Sequence, residues 1–161
     1  MFAVATATDQ DRDGVWAVER DGPGGQDESE ILGRLVLIAD AIADGRCLLA
    51  TEDEAIIGFA IHDRSLFGQP FLSLLRVRAS DRRRGIGTEL VQAVMAVTAG
   101  DRLFSSTNAS NHPMRMLLGR LGFTASGFIE NLDPGDPEMI YIIWLGASAP
   151  APLPAPMEAP D

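Results

Sequence analysis

The stretch "RVRASDRRRGIGTELVQAV", Arg76 to Val94, decides how this chain is read. Five arginines fall within nine residues, two glycines follow, and an apolar-periodic helix begins, in a chain whose net charge is −10. A strand that turns tightly into a helix leaves the first helical amides without intrahelical partners. The helix dipole makes that end positive. Gly85 and Gly87 carry no Cβ, so a ligand can approach the backbone there. Arg82, Arg83 and Arg84 add charge, and the amides of Arg83 to Thr88 are expected to converge on a pyrophosphate or similar anion. Surface arginines beside glycines also occur without a ligand, and residue types alone leave both readings open. Two rival phosphate patterns fail on spacing. Thr88 follows Gly87 directly with no lysine, and Leu90 stands where a dinucleotide fingerprint needs its third glycine.

Bulk composition narrows the class. At 161 residues, 46% hydrophobic and 22% charged, the chain reads as one folded domain with enough length to bury a core. No apolar run reaches the roughly 18 residues of a membrane span. The N-terminus "MFAVATATDQDRDG" has neither the basic region nor the apolar stretch of a signal peptide, so a cytoplasmic location is expected. A single cysteine, Cys47, excludes an internal disulfide and reads as a core residue. The acidic balance, with pI near 4.5, argues against nucleic-acid binding, which needs a broad basic face and interleaved aromatics.

The elements fall in the order β-α-α-β-β-β-α-β-α-β-β. A strand is expected over residues 2–7, with Thr8 and Asp11 forming a capping box before a helix near residues 9–19. The polar segment Arg20–Glu30 reads as a mobile loop, and a second helix over 29–43 buries Ile31, Leu35, Ile38 and Ile42. A hairpin turns at Glu52–Glu54, and a further strand spans Phe71–Ala79 after a loop at Asp63–Pro70. The helix at Thr88–Ala99 places Leu90, Val94 and Val97 on one face. A strand at Arg102–Thr107, a helix at Pro113–Leu121 and two strands at 123–130 and 139–145 complete the domain, expected over residues 1–146. The alanine- and proline-rich remainder, 147–161, is expected to be a disordered tail. The fold class is α/β (α+β): one mixed, mostly antiparallel sheet of six to seven strands with helices on both faces. A doubly wound dinucleotide fold is excluded, because strands and helices do not alternate throughout.

The Arg76–Val94 stretch resembles the acyl-CoA-binding motif of the GNAT superfamily of N-acetyltransferases. Arg82-Arg83-Arg84-Gly85-Ile86-Gly87 fits that motif, Gln/Arg-x-x-Gly-x-Gly/Ala, position by position. "NHPMRMLLGRLGF", Asn111 to Phe123, is similar to the family's second motif, an asparagine opening a helix that ends in Gly-Phe. The likeness covers about residues 2–145.

The resemblance implies acetyl-CoA, or another acyl-CoA, as cosubstrate, no metal, and a small-molecule or protein amine as acceptor. The pyrophosphate would rest on Arg82, Arg83, Arg84, Gly85, Ile86, Gly87 and Thr88. The pantetheine arm would pair with the backbone of Arg76, Val77 and Arg78, in a gap where the strands at 71–79 and 102–107 splay. It also sets Asn108, Asn111 and Arg115 against the coenzyme. The Val77 amide would polarise the thioester carbonyl, as an oxyanion hole does. No covalent intermediate is needed, but the amine must lose a proton.

Here the sequence departs from the commoner pattern of the family it resembles. The tyrosine that commonly serves as acid is replaced by Leu118, and the strand at 71–79 offers no carboxylate base. Ser106 and Asn108, with Ser105, Thr107 and Ser110 near them, can orient water or the coenzyme sulfur. Glu130 is a weaker candidate base, more simply a solvated turn residue, and Tyr141 reads as core. The missing pair keeps a second reading alive, a weak or inactive acyl-CoA-binding module. Acids at Asp21, Asp27, Glu28, Asp63, Asp133 and Asp136 lean towards a cationic acceptor. The sequence leaves oligomeric state open, with a homodimer the common arrangement in the family.

Overall fold

The computed structural model describes residues 1–22 and 27–146. The expected tail at 147–161 and the middle of the Arg20–Glu30 loop lie outside the described residues. Seven strands and four α-helices are described: β1 (Ala3–Thr6), α1 (Arg12–Arg20), α2 (Glu28–Ala43), β2 (Cys47–Glu52), β3 (Ala55–Leu66), β4 (Gln69–Val77), α3 (Ile86–Val97), β5 (Arg102–Asn108), α4 (His112–Arg120), β6 (Thr124–Ile129) and β7 (Glu138–Trp144). The strands form one sheet in the order β1-β2-β3-β4-β5-β7-β6. All pairings are antiparallel except β4 with β5.

The sheet is covered on both faces. On one side Val15, Val18, Ile38, Ala41 and Ile42 of α1 and α2 pack with Cys47, Leu49, Phe59 and Ile61. On the other, Ile86, Leu90, Val91 and Val94 of α3 and Leu118 of α4 pack with Ala60, Leu72, Leu103 and Tyr141. Fully burying an aliphatic side chain of this size is worth about 1.5–3 kcal/mol, which makes these two layers the main source of stability. Cys47 is fully buried, and burial, with the Asp11 carboxylate adding, pushes its thiol up to about 12. It is an inert core residue, as expected.

Several boundaries differ from the sequence reading for physical reasons. Thr8 and Asp11 do bond, the Thr8 amide and hydroxyl both reaching Asp11 Oδ2 at 2.8 Å. They close a 3-10 turn at Asp9–Asp11, and the α-helix starts only at Arg12. In α2 the buried residues are Ile38, Ala41 and Ile42, while Ile31 is exposed. The first half of this 16-residue helix is therefore not part of the core. Val97, in the last turn of α3, is likewise exposed. The expected loop at Asp63–Pro70 is instead a tight hairpin joining β3 to β4, with positive φ at Phe67 (50°) and Gly68 (73°). Two-residue turns of this kind match the twist of the strands they join.

Candidate functional site

The parallel pair β4–β5 stays in register at two positions only, Phe71 with Phe104 and Leu72 with Ser105. Beyond them the strands part. A bulge accounts for the divergence. Leu72 pairs with His62 and Leu74 with Ile61, so β4 carries one extra residue, Ser73. Bulges bend a strand and increase its twist. The Ser73 hydroxyl donates to Ile61 O at 3.2 Å and ties the bend to β3. At the closed end of the gap, the Ser105 hydroxyl donates to Leu72 O at 3.2 Å.

The register also decides which amides face the gap. Arg78 N donates to Ile57 O of the neighbouring chain segment at 2.9 Å. By antiparallel alternation Arg76 also spends its backbone on β3, whereas Leu75 and Val77 turn theirs towards the missing β5. Of Arg76, Val77 and Arg78, the three expected to face the gap with their backbone, Arg76 and Arg78 face β3 instead, and only Val77 lies on the open edge. Leu75 has the same orientation nearer the closed end, and sequence reasoning missed it.

At the mouth of the gap lies the turn before α3. Gly85 occupies the helix N-cap in the left-handed region, φ 86°, with no side chain capping the helix. The first backbone bond that closes the helix is Glu89 N to Gly85 O, 3.1 Å. The amides of Ile86, Gly87 and Thr88 consequently have no intrahelical partner. A Cβ built on Gly85 would meet open space, whereas one on Gly87 would lie 3.0 Å from Leu117 and beside Leu75 and Val77. Gly85 leaves room for a ligand; Gly87 lets α3 pack close to α4 and β4.

The five arginines divide into two groups. Arg76 Nε donates to Glu19 Oε2 at 3.0 Å, and Arg34 bonds the other oxygen of that buried carboxylate at 3.1 Å. Arg78 and Arg84 both pair with Asp81, and Arg84 also reaches Glu52 at 2.7 Å. Arg82 makes one contact, from Nε to Val77 O at 3.3 Å, and its side chain is exposed. Arg83 is exposed, has φ 62°, and has no bonded partner among the described residues. Three of the five cations are therefore internal braces, and Arg82 and Arg83 remain to meet a ligand.

Asp81, which sequence reasoning passed over, is the hub of this turn. It is only 6% exposed and accepts bonds from Arg78, Ser80 and Arg84. Its carboxyl is held down at about 2, first by Arg78 and then by Ser80, with Arg84 adding and burial opposing. A carboxylate whose folded value lies below its ordinary 3.8 stabilises fully above that pH and loses the contribution as pH falls towards 2. Asp81→Asn should therefore lower the thermal midpoint at neutral pH, and the deficit should close between about pH 4 and pH 2. Thermal melts across that range check it; a deficit independent of pH would show that charge is not what Asp81 contributes.

The remaining candidates gather around the end of β5. Ser106 shares the α1–α2 side of the sheet with Ile140 and is half-buried. Asn108 donates to Asp133 Oδ2 at 2.7 Å and to Asp136 O at 3.3 Å, so its amide latches the β6–β7 loop. Ser110 completes the latch through its amide and hydroxyl to Asp136, and these two bonds hold the Asp136 carboxyl below its usual range. Asn111 caps α4, its Oδ1 accepting from Met114 N at 3.3 Å. Arg115 Nε donates to the Tyr141 hydroxyl at 3.1 Å and its Nη1 to Ala109 O at 2.8 Å. Leu118 is fully buried, which rules out any polar role at that position. Glu130 is exposed in the bend that follows β6. Of the six acids expected to favour a cation, Asp27 and Asp63 are bonded into local turns, Asp21 accepts from the distant Ala79 amide, and Asp133 and Asp136 are taken up by Asn108 and Ser110. A separate cavity of about 780 Å³ lies between α2, the β3–β4 hairpin and the end of α3, lined by Val36, Arg64, Phe71 and Val97. None of the turn residues 82–88 lines it.

A sheet opened between two parallel strands, beside an uncapped helix start, is the architecture of the acyl-CoA N-acyltransferase fold. The chain belongs to the acetyltransferase (GNAT) family, whose profile matches residues 9–123. A GNAT-family acetyltransferase structure from Bacillus cereus is 35% identical, with TM-score 0.82, covering 91% of this chain and 99% of its own. The ribosomal-protein-S18-alanine N-acetyltransferase of Escherichia coli, 17% identical, superposes with TM-score 0.75 over 92% of this chain and 97% of its own. The protein yncA of Salmonella typhimurium, solved with its cofactor acetyl-CoA, is 14% identical, with TM-score 0.74 over 94% and 98%. No curated protein matches the chain. Among the described residues, no helix is long and apolar enough to cross a membrane.

Proposed function

We propose that this chain transfers an acetyl group from acetyl-CoA to a primary amine by direct attack in a ternary complex. The observation that carries the reading is the set of unpartnered amides at Ile86, Gly87 and Thr88, at the mouth of the gap between β4 and β5. Backbone donors at a helix N-terminus suit a diphosphate, and Arg82 and Arg83 add the charge-assisted contacts. The open edge of β4 suits the pantetheine arm, which carries amide groups of its own and can pair as a strand does. We assign the Val77 amide to that arm and the Leu75 amide to the thioester carbonyl, where it stabilises developing negative charge.

The amine approaches from the α1–α2 side, where Ser106 lies half-buried on β5. With no carboxylate on β4, its proton leaves through water, which Ser106 can orient. Asn108 acts by fixing the β6–β7 loop that borders this side, and Asn111 by setting the start of α4. The domain spans residues 1–146 in this reading, and the fully buried Cys47 suits a reducing cytoplasm.

Calorimetry with CoA and thiol release from acetyl-CoA over a panel of amines test the proposal. Binding with amine-dependent release is expected. Binding without turnover on any amine would favour the inactive module that the apolar Leu118 raises, and no binding would end both readings.

A further inference from the structure

On the coenzyme reading above, the transfer needs an acid for the departing thiolate, and position 118 supplies none. We propose that Tyr141, held by Arg115, is that acid. The argument rests on where the chain's one tyrosine sits and what it touches. Tyr141 lies directly opposite Ser105, the last β5 residue paired to β4, so both occupy the same face of the sheet. That face is the one covered by α3 and α4, where the uncapped helix start also lies. Its ring is packed in the core, but its hydroxyl is not an idle polar tip. Arg115 donates to the phenol oxygen and continues to Ala109 O, four residues beyond Ser105, on the open side of the splay. The oxygen therefore acts as an acceptor from Arg115, and among the described residues its own proton has no acceptor.

The alternatives on this face fall away. The Ser105 hydroxyl is committed to Leu72 O. Thr107 is an alkanol, a far weaker acid than a phenol. Ser106 points to the opposite face, and Cys47 is sealed in the other core layer. Tyr141 alone joins an ionisable proton to a fixed cation that can neutralise the charge left behind. The step balances simply. The amine lone pair forms the C–N bond, the C–S bond breaks with its electrons on sulfur, and the sulfur takes the Tyr141 proton to leave as a thiol. The amine's surplus proton passes to water, and the phenolate, facing Arg115, regains its proton from solvent.

Because the chain has a single tyrosine, fluorotyrosine labelling gives one fluorine NMR signal that reports this hydroxyl. Addition of CoA should shift it, while adenosine bisphosphate, which lacks the pantetheine arm, should leave it in place. Tyr141→Phe, which preserves the ring, should lower kcat about 100-fold. Its KM and calorimetric Kd for the coenzyme and its thermal midpoint should stay close to the parent's. Arg115→Met should lower kcat by a smaller factor, about tenfold. A signal indifferent to CoA in a protein that binds CoA, or an unimpaired Tyr141→Phe enzyme, would overturn the assignment and leave the coenzyme reading standing. Failure of the parent to bind CoA would overturn both.

Discussion

Replacing Gly58 with valine should destabilise the domain by about 3 kcal/mol, the upper end of what overpacking a close-packed core costs. Gly58 sits on β3 opposite Val77, directly beneath the start of α3. A Cβ there would lie 2.9 Å from the backbone oxygen of Arg76 and 3.2 Å from both Ile86 and Leu90. The first of these is the β4 main chain, which cannot rotate away as a side-chain tip can. Ile86 and Leu90 are at most 1% exposed and have nowhere to retreat. The β-branched residue's preference for strands offsets only part of this, since that scale spans about 1 kcal/mol. At this size, 1 kcal/mol moves the midpoint by roughly 2–4 °C, so a fall near 10 °C is expected by calorimetry. The same shift would tilt the first turn of α3, and coenzyme affinity should fall with stability. A Gly58→Val protein that melts with the parent would mean that α3 is not seated as closely as these contacts require.

The sequence made the architecture legible because its strongest signals are local. The helix-ending glycine and the apolar spacing of Leu117 and Leu118 marked α4, and the Gly85–Gly87 spacing marked the turn into α3. What it could not show was partnership. Five neighbouring arginines look alike in a string, yet Glu19, 57 residues before Arg76, removes one of them, and Asp81 with Glu52 removes two more. The bulge at Ser73 was equally hidden, though "FLSLLRV" holds a trace of it. Leu72 and Leu75 share one face and Leu74 the other, which strict alternation forbids. That extra residue separates β4 from β5, so the feature that opens the site left the weakest mark. Tyr141 was read as core because its strand is apolar. Its ring is indeed buried, and only the third dimension brings Arg115 to its hydroxyl.

Gly85→Asp should separate fold from function, because its effects on the two have opposite origins. Nothing lies within 4 Å of a Cβ at Gly85, and its φ of 86° is a conformation that aspartate and asparagine tolerate better than other side chains. The strain, about 1 kcal/mol, is offset by a carboxylate at the positive end of α3, worth about 0.3–1 kcal/mol. The thermal midpoint should therefore stay within a few degrees of the parent's. Coenzyme binding meets the reverse situation, since the new carboxylate would occupy the place of the diphosphate. Two like charges about 4 Å apart near a protein surface repel by roughly 4 kcal/mol, less where water intervenes. A loss of about 100-fold in CoA affinity, roughly 2.8 kcal/mol, is expected by calorimetry. Gly85→Asn isolates the cause, because it has the same shape without the charge and should lose no more than about tenfold. Equal affinities for the two variants would show that no anion rests on these amides, whatever the melting curves say.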